Sequence, residues 1–218
     1  VDAGFSIVSY SGSGVVATVG HGLASAPEML IVKERTSVDN WFVYHSGNTS
    51  APETENLRLN LTNATADSLT YWNDTLPSSS VFTLGTTTGV NSSSDTYIAY
   101  CFHSVDGYSK VGSYTGNGNA NGPFVHCGFK PAFVMLKRSD SSSSGHWVIK
   151  DSKRDESNGN TIYSMANLSN ADTDNTVEID YLSNGFKQRS TNNVNNANGS
   201  TYIFLAFAES PFKHSNAR

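Results

Sequence analysis

The side chains in this sequence that could do chemistry are carboxylates, scattered histidines, two thiols and a set of aromatic rings. Glycoside hydrolysis needs two carboxyl groups about 5–10 Å apart in a cleft. The carboxylates available for it are Glu178, Asp180, Asp151 and Asp155. Glu178 and Asp180 stand two apart in a strand-like stretch, so they share a face. They alternate with Val177, Ile179 and Tyr181, which is the pattern of the solvent side of a half-buried strand. No Gly-x-Ser-x-Gly elbow and no His-Glu-x-x-His run occurs. Gly12-Ser13-Gly14 is too short for a phosphate loop. The chain reads as a non-enzyme.

Metal chemistry has weak footing as well. Asp172-Thr173-Asp174-Asn175 offers oxygens at close spacing but lacks the Gly and the distal Glu of a calcium loop, and it reads as a polar loop. His21 and His126 both stand shortly before a proline-led strand and read as equivalent structural hydrogen-bonders. Cys101 and Cys127 form no Cys-x-x-Cys motif, so no zinc site is expected. They read as two buried free thiols, with pairing between them left open. No cofactor is expected.

Rings are the remaining resource. Sugar sites set aromatic faces among polar side chains, and Trp41, Tyr44, Tyr71, Trp72, Tyr114 and Trp147 are available. Trp41 and Trp147 hold matching places in the two halves of the chain, which assigns them to packing. Tyr71-Trp72 lies in a polar stretch, Ala66 to Thr75, without a later counterpart. Tyr71 and Trp72 are therefore the candidate ligand-binding residues, exposed on a loop for a glycan, a neighbouring subunit or a partner domain.

The elements that must position these groups are strands. Asp95-Thr96-Tyr97-Ile98-Ala99-Tyr100-Cys101-Phe102 returns as Ser200-Thr201-Tyr202-Ile203-Phe204-Leu205-Ala206-Phe207. Both copies are apolar on both faces, as interior strands are. Further landmarks recur in order at an offset of about 105 residues, among them Pro27 and Pro131, Trp41 and Trp147, and Leu61 and Leu168. Other strand signals are Met29–Lys33, Trp41–His45, the alternating Leu57–Leu61, Ser80–Gly85 and Val177–Leu182, the last leading into an Asn184-Gly185 type I′ hairpin signal. Short strands spaced by about ten residues and separated by Gly, Asn, Ser and Pro clusters predict an all-β fold of two tandem homologous sandwich-like repeats, 1–106 and 107–218. The competing architecture is one merged sandwich.

Composition narrows the function. Net charge is -5 and the isoelectric point about 5.6, against the basic footprint a nucleic-acid binder needs. No apolar run approaches the ~20 residues that insert across a bilayer. Only 15% of residues are charged, and Ser, Thr, Asn and Gly supply the solubility, as in extracellular or particle-surface β proteins. Asn-x-Ser/Thr triplets such as Asn60-Leu61-Thr62 follow from that composition and signal no modification. The abrupt start at Val1 and the finish Asn216-Ala217-Arg218 read as a carboxy-terminal piece of a longer protein.

Three phrases stand together: Tyr97 to Arg138, with its Gly-Tyr-Ser and Tyr-Thr-Gly-Asn-Gly runs; His146 to Arg154; and Gly199 to Phe212. They resemble a repeat module of structural and tail-fibre-type proteins of marine tailed phages, cyanophages included, often placed at the carboxy-terminal end after a concanavalin-like jelly roll. The resemblance implies a non-enzymatic virion module that adheres to a host-surface glycan or assembles an appendage with other virion proteins. It also implies location on the particle surface and, by analogy with fibres, a homotrimer. It carries no catalytic motif. The alternative is a carbohydrate-binding module attached to a polysaccharide-degrading enzyme.

Overall fold

The computed structural model describes residues 3–210, apart from the side chains of residues 175 and 176. Val1, Phe212 and the Asn216-Ala217-Arg218 finish lie outside the described residues. The fold is all-β and divides into two compact units. One comprises the chain up to Asn60 with Thr65–His103; the other comprises Leu61–Ala64 and the chain from Ser104 onward. The division thus falls between His103 and Ser104 rather than after residue 106, and each unit has a hydrophobic core of its own.

The first unit contains β1 (Phe5–Ser11), β2 (Ala17–Gly20), β3 (Met29–Glu34), β4 (Trp41–His45), β5 (Glu55–Arg58), β6 (Ala66–Asp67), α1 (Leu69–Trp72), β7 (Val81–Leu84), α2 (Thr88–Asn91) and β8 (Thr96–Phe102). Six strands form one antiparallel sheet in the order β1-β8-β3-β4-β5-β6, and β2 pairs with β7 in a second. Alternation along β8 sends Tyr97, Ala99 and Cys101 into the core. There they meet Leu30, Val32 and Phe42 of the same sheet, Phe82 and Leu84 of β7, Trp72 of α1 and Val90 of α2.

The second unit contains β9 (Ser109–Thr115), β10 (Phe124–His126), β11 (Pro131–Arg138), β12 (Trp147–Asp151), β13 (Asn160–Met165), β14 (Thr173–Leu182), β15 (Gly185–Gln188) and β16 (Thr201–Ala208). All eight join one antiparallel sheet, β10-β15-β14-β13-β12-β11-β16-β9. This sheet folds over on itself, so that Phe186 of β15 lies edge-on to Tyr114 of β9 and Phe204 of β16 at 6.1 and 5.3 Å. The long β14 supplies Val177, Ile179 and Tyr181 to the core. At the corresponding place the first unit has α1 and its flanking turns instead.

The units share the order of their main strands. β1-β8-β3-β4-β5 in the first reads β9-β16-β11-β12-β13 in the second, and the β2–β7 pair corresponds to β10–β15. Registers agree in detail: Tyr10 faces Tyr97 and Tyr114 faces Tyr202; Lys33 faces Trp41 and Lys137 faces Trp147. The Trp41 and Trp147 amides both donate to an asparagine side chain, Asn60 and Asn167, each at 3.0 Å.

Several local expectations change. β5 stops at Arg58, short of the alternating stretch to Leu61, because the Asn60 side chain turns back to the Trp41 amide; Leu61 ends 36% exposed. The 172–175 stretch is not a loop: β14 begins at Thr173, and Asp172 pairs with Arg154 at 3.0 Å. The hairpin joining β14 to β15 turns at Ser183-Asn184, with Gly185 already paired to Leu182. Gly185 is needed for close approach, since a Cβ there would stand 2.1 Å from the Val125 carbonyl oxygen. His21 and His126 are not equivalent. Pairing of Val19 with Phe82 and Val125 with Phe186 aligns His126 with Gly20 and His21 with Cys127. Cys101 and Cys127 are both free and buried.

Candidate functional site

Tyr71 and Trp72 are not a surface pair. The Ser68 hydroxyl accepts from the Thr70 amide to start α1, and Asn73 ends it in the left-handed conformation at φ 54°. This single turn drives Trp72 into the first core, 2% exposed, with its indole N–H donating to the Glu55 carbonyl at 2.9 Å. Tyr71 is half-buried, its ring 4.8 Å from that of Phe42. The polar neighbours that suggested a contact loop are a helix cap and turn residues. In chain order α1 stands between β5 and β7, as β14 stands between β13 and β15.

The second unit presents the better candidate, a hollow of about 410 Å³ bounded by the turn after β12, Lys130, Tyr181 and Glu209. The turn is built by carboxylates acting on the backbone. Asp151 Oδ1 accepts from the amides of Lys153 and Arg154 at 3.0 and 2.7 Å. Asp155 accepts from the Ser157 hydroxyl and amide and from the Thr161 amide. Those bonds, the Ser157 hydroxyl foremost, hold the Asp155 carboxyl well below the usual range despite some desolvation. Asn158 Oδ1 accepts from the Tyr181 amide at 2.9 Å, docking the turn onto β14.

Tyr181 is 6% exposed, lines the hollow and has a hydroxyl without a hydrogen-bond partner. Lys130 pairs with Glu209 at 2.7 Å. The wall therefore offers both signs of charge together with hydroxyl and amide groups, a lining suited to a polyhydroxylated ligand.

Three of the four carboxylates first considered for catalysis have structural duties. Asp151 and Asp155 hold the turn, Asp180 pairs with Arg189 at 2.7 Å, and Glu178 shares the outward face of β14 with Asp180. Among the described residues no group of three or more His, Cys, Asp or Glu side chains converges as a metal site would require.

Residues 1–211 match the family described as Domain of unknown function (DUF7483). The chain belongs to that family. No curated protein matches it, and neither does any solved structure. What this DUF7483 chain can do is therefore read from its own geometry.

One group passed unnoticed in the sequence. Lys150 is fully buried beneath the hollow, its amine bonded to oxygens of Asn160 and Ile162. The signal was present: Lys150 stands two residues after Val148, so alternation puts both on the core side of β12.

Proposed function

We propose that this chain is a non-enzymatic module of a tailed-phage particle, part of a fibre or other surface appendage, which holds a host-surface glycan in the hollow of its second unit. The observation that carries this reading is the hollow itself, whose lining joins Lys130, Lys153, Asp155, Glu156, Ser157 and Asn158. Support comes from the phage-module phrasing, the sparse charge and the structural engagement of three of the candidate carboxylates. On this reading the neighbours of the chain are other virion proteins and further copies of itself, a trimer by analogy with fibres. Each β unit then presents adaptable loops on a packed core, and their matched strand pairings descend from a duplicated ancestor.

Binding of the purified chain to a panel of bacterial surface polysaccharides tests the reading, with Lys153→Ala as the site variant because Lys153 is exposed and lines the hollow. Binding that the substitution weakens at least several-fold is expected. Absence of binding to every polysaccharide, or binding untouched by Lys153→Ala, removes the hollow as a receptor site. Mass spectrometry of purified particles tests the location. Release of reducing sugar would favour the other class, a carbohydrate-binding module working beside a depolymerase.

A further inference from the structure

Matching strand pairs place Tyr44 opposite Leu30 in the first unit and Lys150 opposite Val134 in the second. Tyr44 meets the Trp72 ring edge-on at 6.2 Å, an ordinary core contact. Lys150 puts an amine at the same depth, with 0% of the residue exposed. A buried amine is costly unless compensated, and its partners are carbonyl oxygens rather than a carboxylate. Nζ lies 3.0 Å from the Asn160 main-chain oxygen, 3.4 Å from that of Ile162 and 3.3 Å from Asn160 Oδ1. The Tyr163 ring covers it, 5.4 Å away at the centroid. Lys137, the other fully buried lysine among the described residues, is held by the main-chain oxygens of Gly145 and Thr62 and lies 5.6 Å from the Trp147 ring centroid. Only Lys150 has a side-chain carboxamide against its amine.

That carboxamide is fixed. Asn160 is fully buried, and its Nδ2 donates both hydrogens, to the Asp151 oxygen at 3.0 Å and the Asp155 oxygen at 2.9 Å. The opposite side of the group therefore faces Nζ. A carboxylate holds the next residue: Asp155 Oδ2 accepts from the Thr161 amide at 2.8 Å.

We infer that Lys150 and Asn160 are the partners of an intramolecular isopeptide cross-link that forms as the second unit folds. The Nζ lone pair attacks Asn160 Cγ. A new Nζ–Cγ amide bond forms, the Cγ–Nδ2 bond breaks, and one proton passes from Nζ to the departing nitrogen. Ammonia leaves, and the reaction needs neither oxidant nor cofactor. Fixed contact of the two groups in a dry core supplies the effective concentration such a condensation requires. Burial also pushes the Lys150 amine down to about 7, against the opposing pull of Asp155, Glu178 and Asp174, so neutral nucleophile is abundant near neutral pH. The bond would tie β12 to β13 at the base of the hollow.

The intact mass of the folded full chain tests this. The expected mass falls below that of the sequence by one ammonia, with a branched peptide joining Lys150 to Asn160 after proteolysis. Asn160→Asp is expected to reach the same final mass, losing water in place of ammonia. Lys150→Met, which removes the nucleophile, is expected to keep its full sequence mass while circular dichroism still reports a β fold. Folded wild-type protein at full sequence mass, with Lys150 and Asn160 in separate peptides, overturns the inference.

Discussion

Tyr114 lies flat on Tyr202, with ring centroids 5.0 Å apart and planes 10° from parallel. Both hydroxyls fasten the same incoming loop. Tyr114 donates to the Asn195 oxygen at 2.7 Å; Tyr202 donates to the Asn193 oxygen at 2.7 Å and accepts from the Ala197 amide at 2.8 Å. Tyr10 and Tyr97 repeat the stack at 5.2 Å and 14° in the first unit. Tyr10 there donates to the Val90 oxygen, and Tyr97 donates to the Thr88 oxygen while accepting from the Ser92 amide.

Removing the Tyr202 hydroxyl strands a buried amide. Tyr202→Phe is expected to cost about 1–3 kcal/mol, the penalty for an unpaired buried polar group. Tyr97→Phe should cost a similar amount in the first unit. Urea denaturation checks both, through a lowered midpoint at unchanged slope. A midpoint shift within error in either variant would show that the stack alone holds the loop.

Trp72 is a structural plug, so Trp72→Ala should destabilise the first unit by about 3–5 kcal/mol, as large core truncations do. Trp72→Phe should lose less but still leave the Glu55 carbonyl without its indole donor. Stability of Trp72→Ala close to wild type would contradict the packing seen here.

Lys137 supplies a pH signature. Burial lowers its amine from 10.5 to about 8. Between those values the unfolded chain binds more protons than the native one, so stability rises with pH across the window and falls as pH drops back to about 8. Cys101 and Cys127 also contribute there, because burial pushes their native thiols up from 9.0 to about 11 and 12 and only the unfolded chain loses those protons within the window. The comparison with Lys137→Met isolates the lysine. From pH 8 to 10 wild type should gain on the variant by a few kcal/mol at most, on the order set by about 1.4 kcal/mol per pH unit. A stability difference independent of pH would rule the effect out.

The all-β fold was legible because the strands alternate cleanly and their landmarks recur. The interior place of β8 and β16 followed from apolar residues on both faces, and each is bonded on both sides. The site was less legible. Tyr71-Trp72 drew attention because its neighbours are polar, yet Ser68 and Asn73 are polar for the sake of helix ends. Lys150 was hidden for the opposite reason. A lysine is taken for surface by composition, and only strand phase reveals that it faces the core. The Asn184-Gly185 signal pointed to a true hairpin but to the wrong turn, because Gly185 answers to the approach of β10 rather than to the turn itself.

Asn91 and Asn196 sit deep in their units and clasp opposite stretches of chain. Asn91 reaches the Val15 and Gly85 oxygens at 2.7 and 2.8 Å, and Asn196 reaches the Asn119 and Ser190 oxygens at 2.8 and 2.7 Å. With both cysteines free, these primary amides do the fastening that sulfur or calcium does in many exterior domains. Neither a reductant nor a chelator can loosen such a clasp, so the units should assemble equally well in a thiol-rich cell and in open water. Their slow enemy is hydrolysis of the amides to acids, which would set a negative charge in each interior.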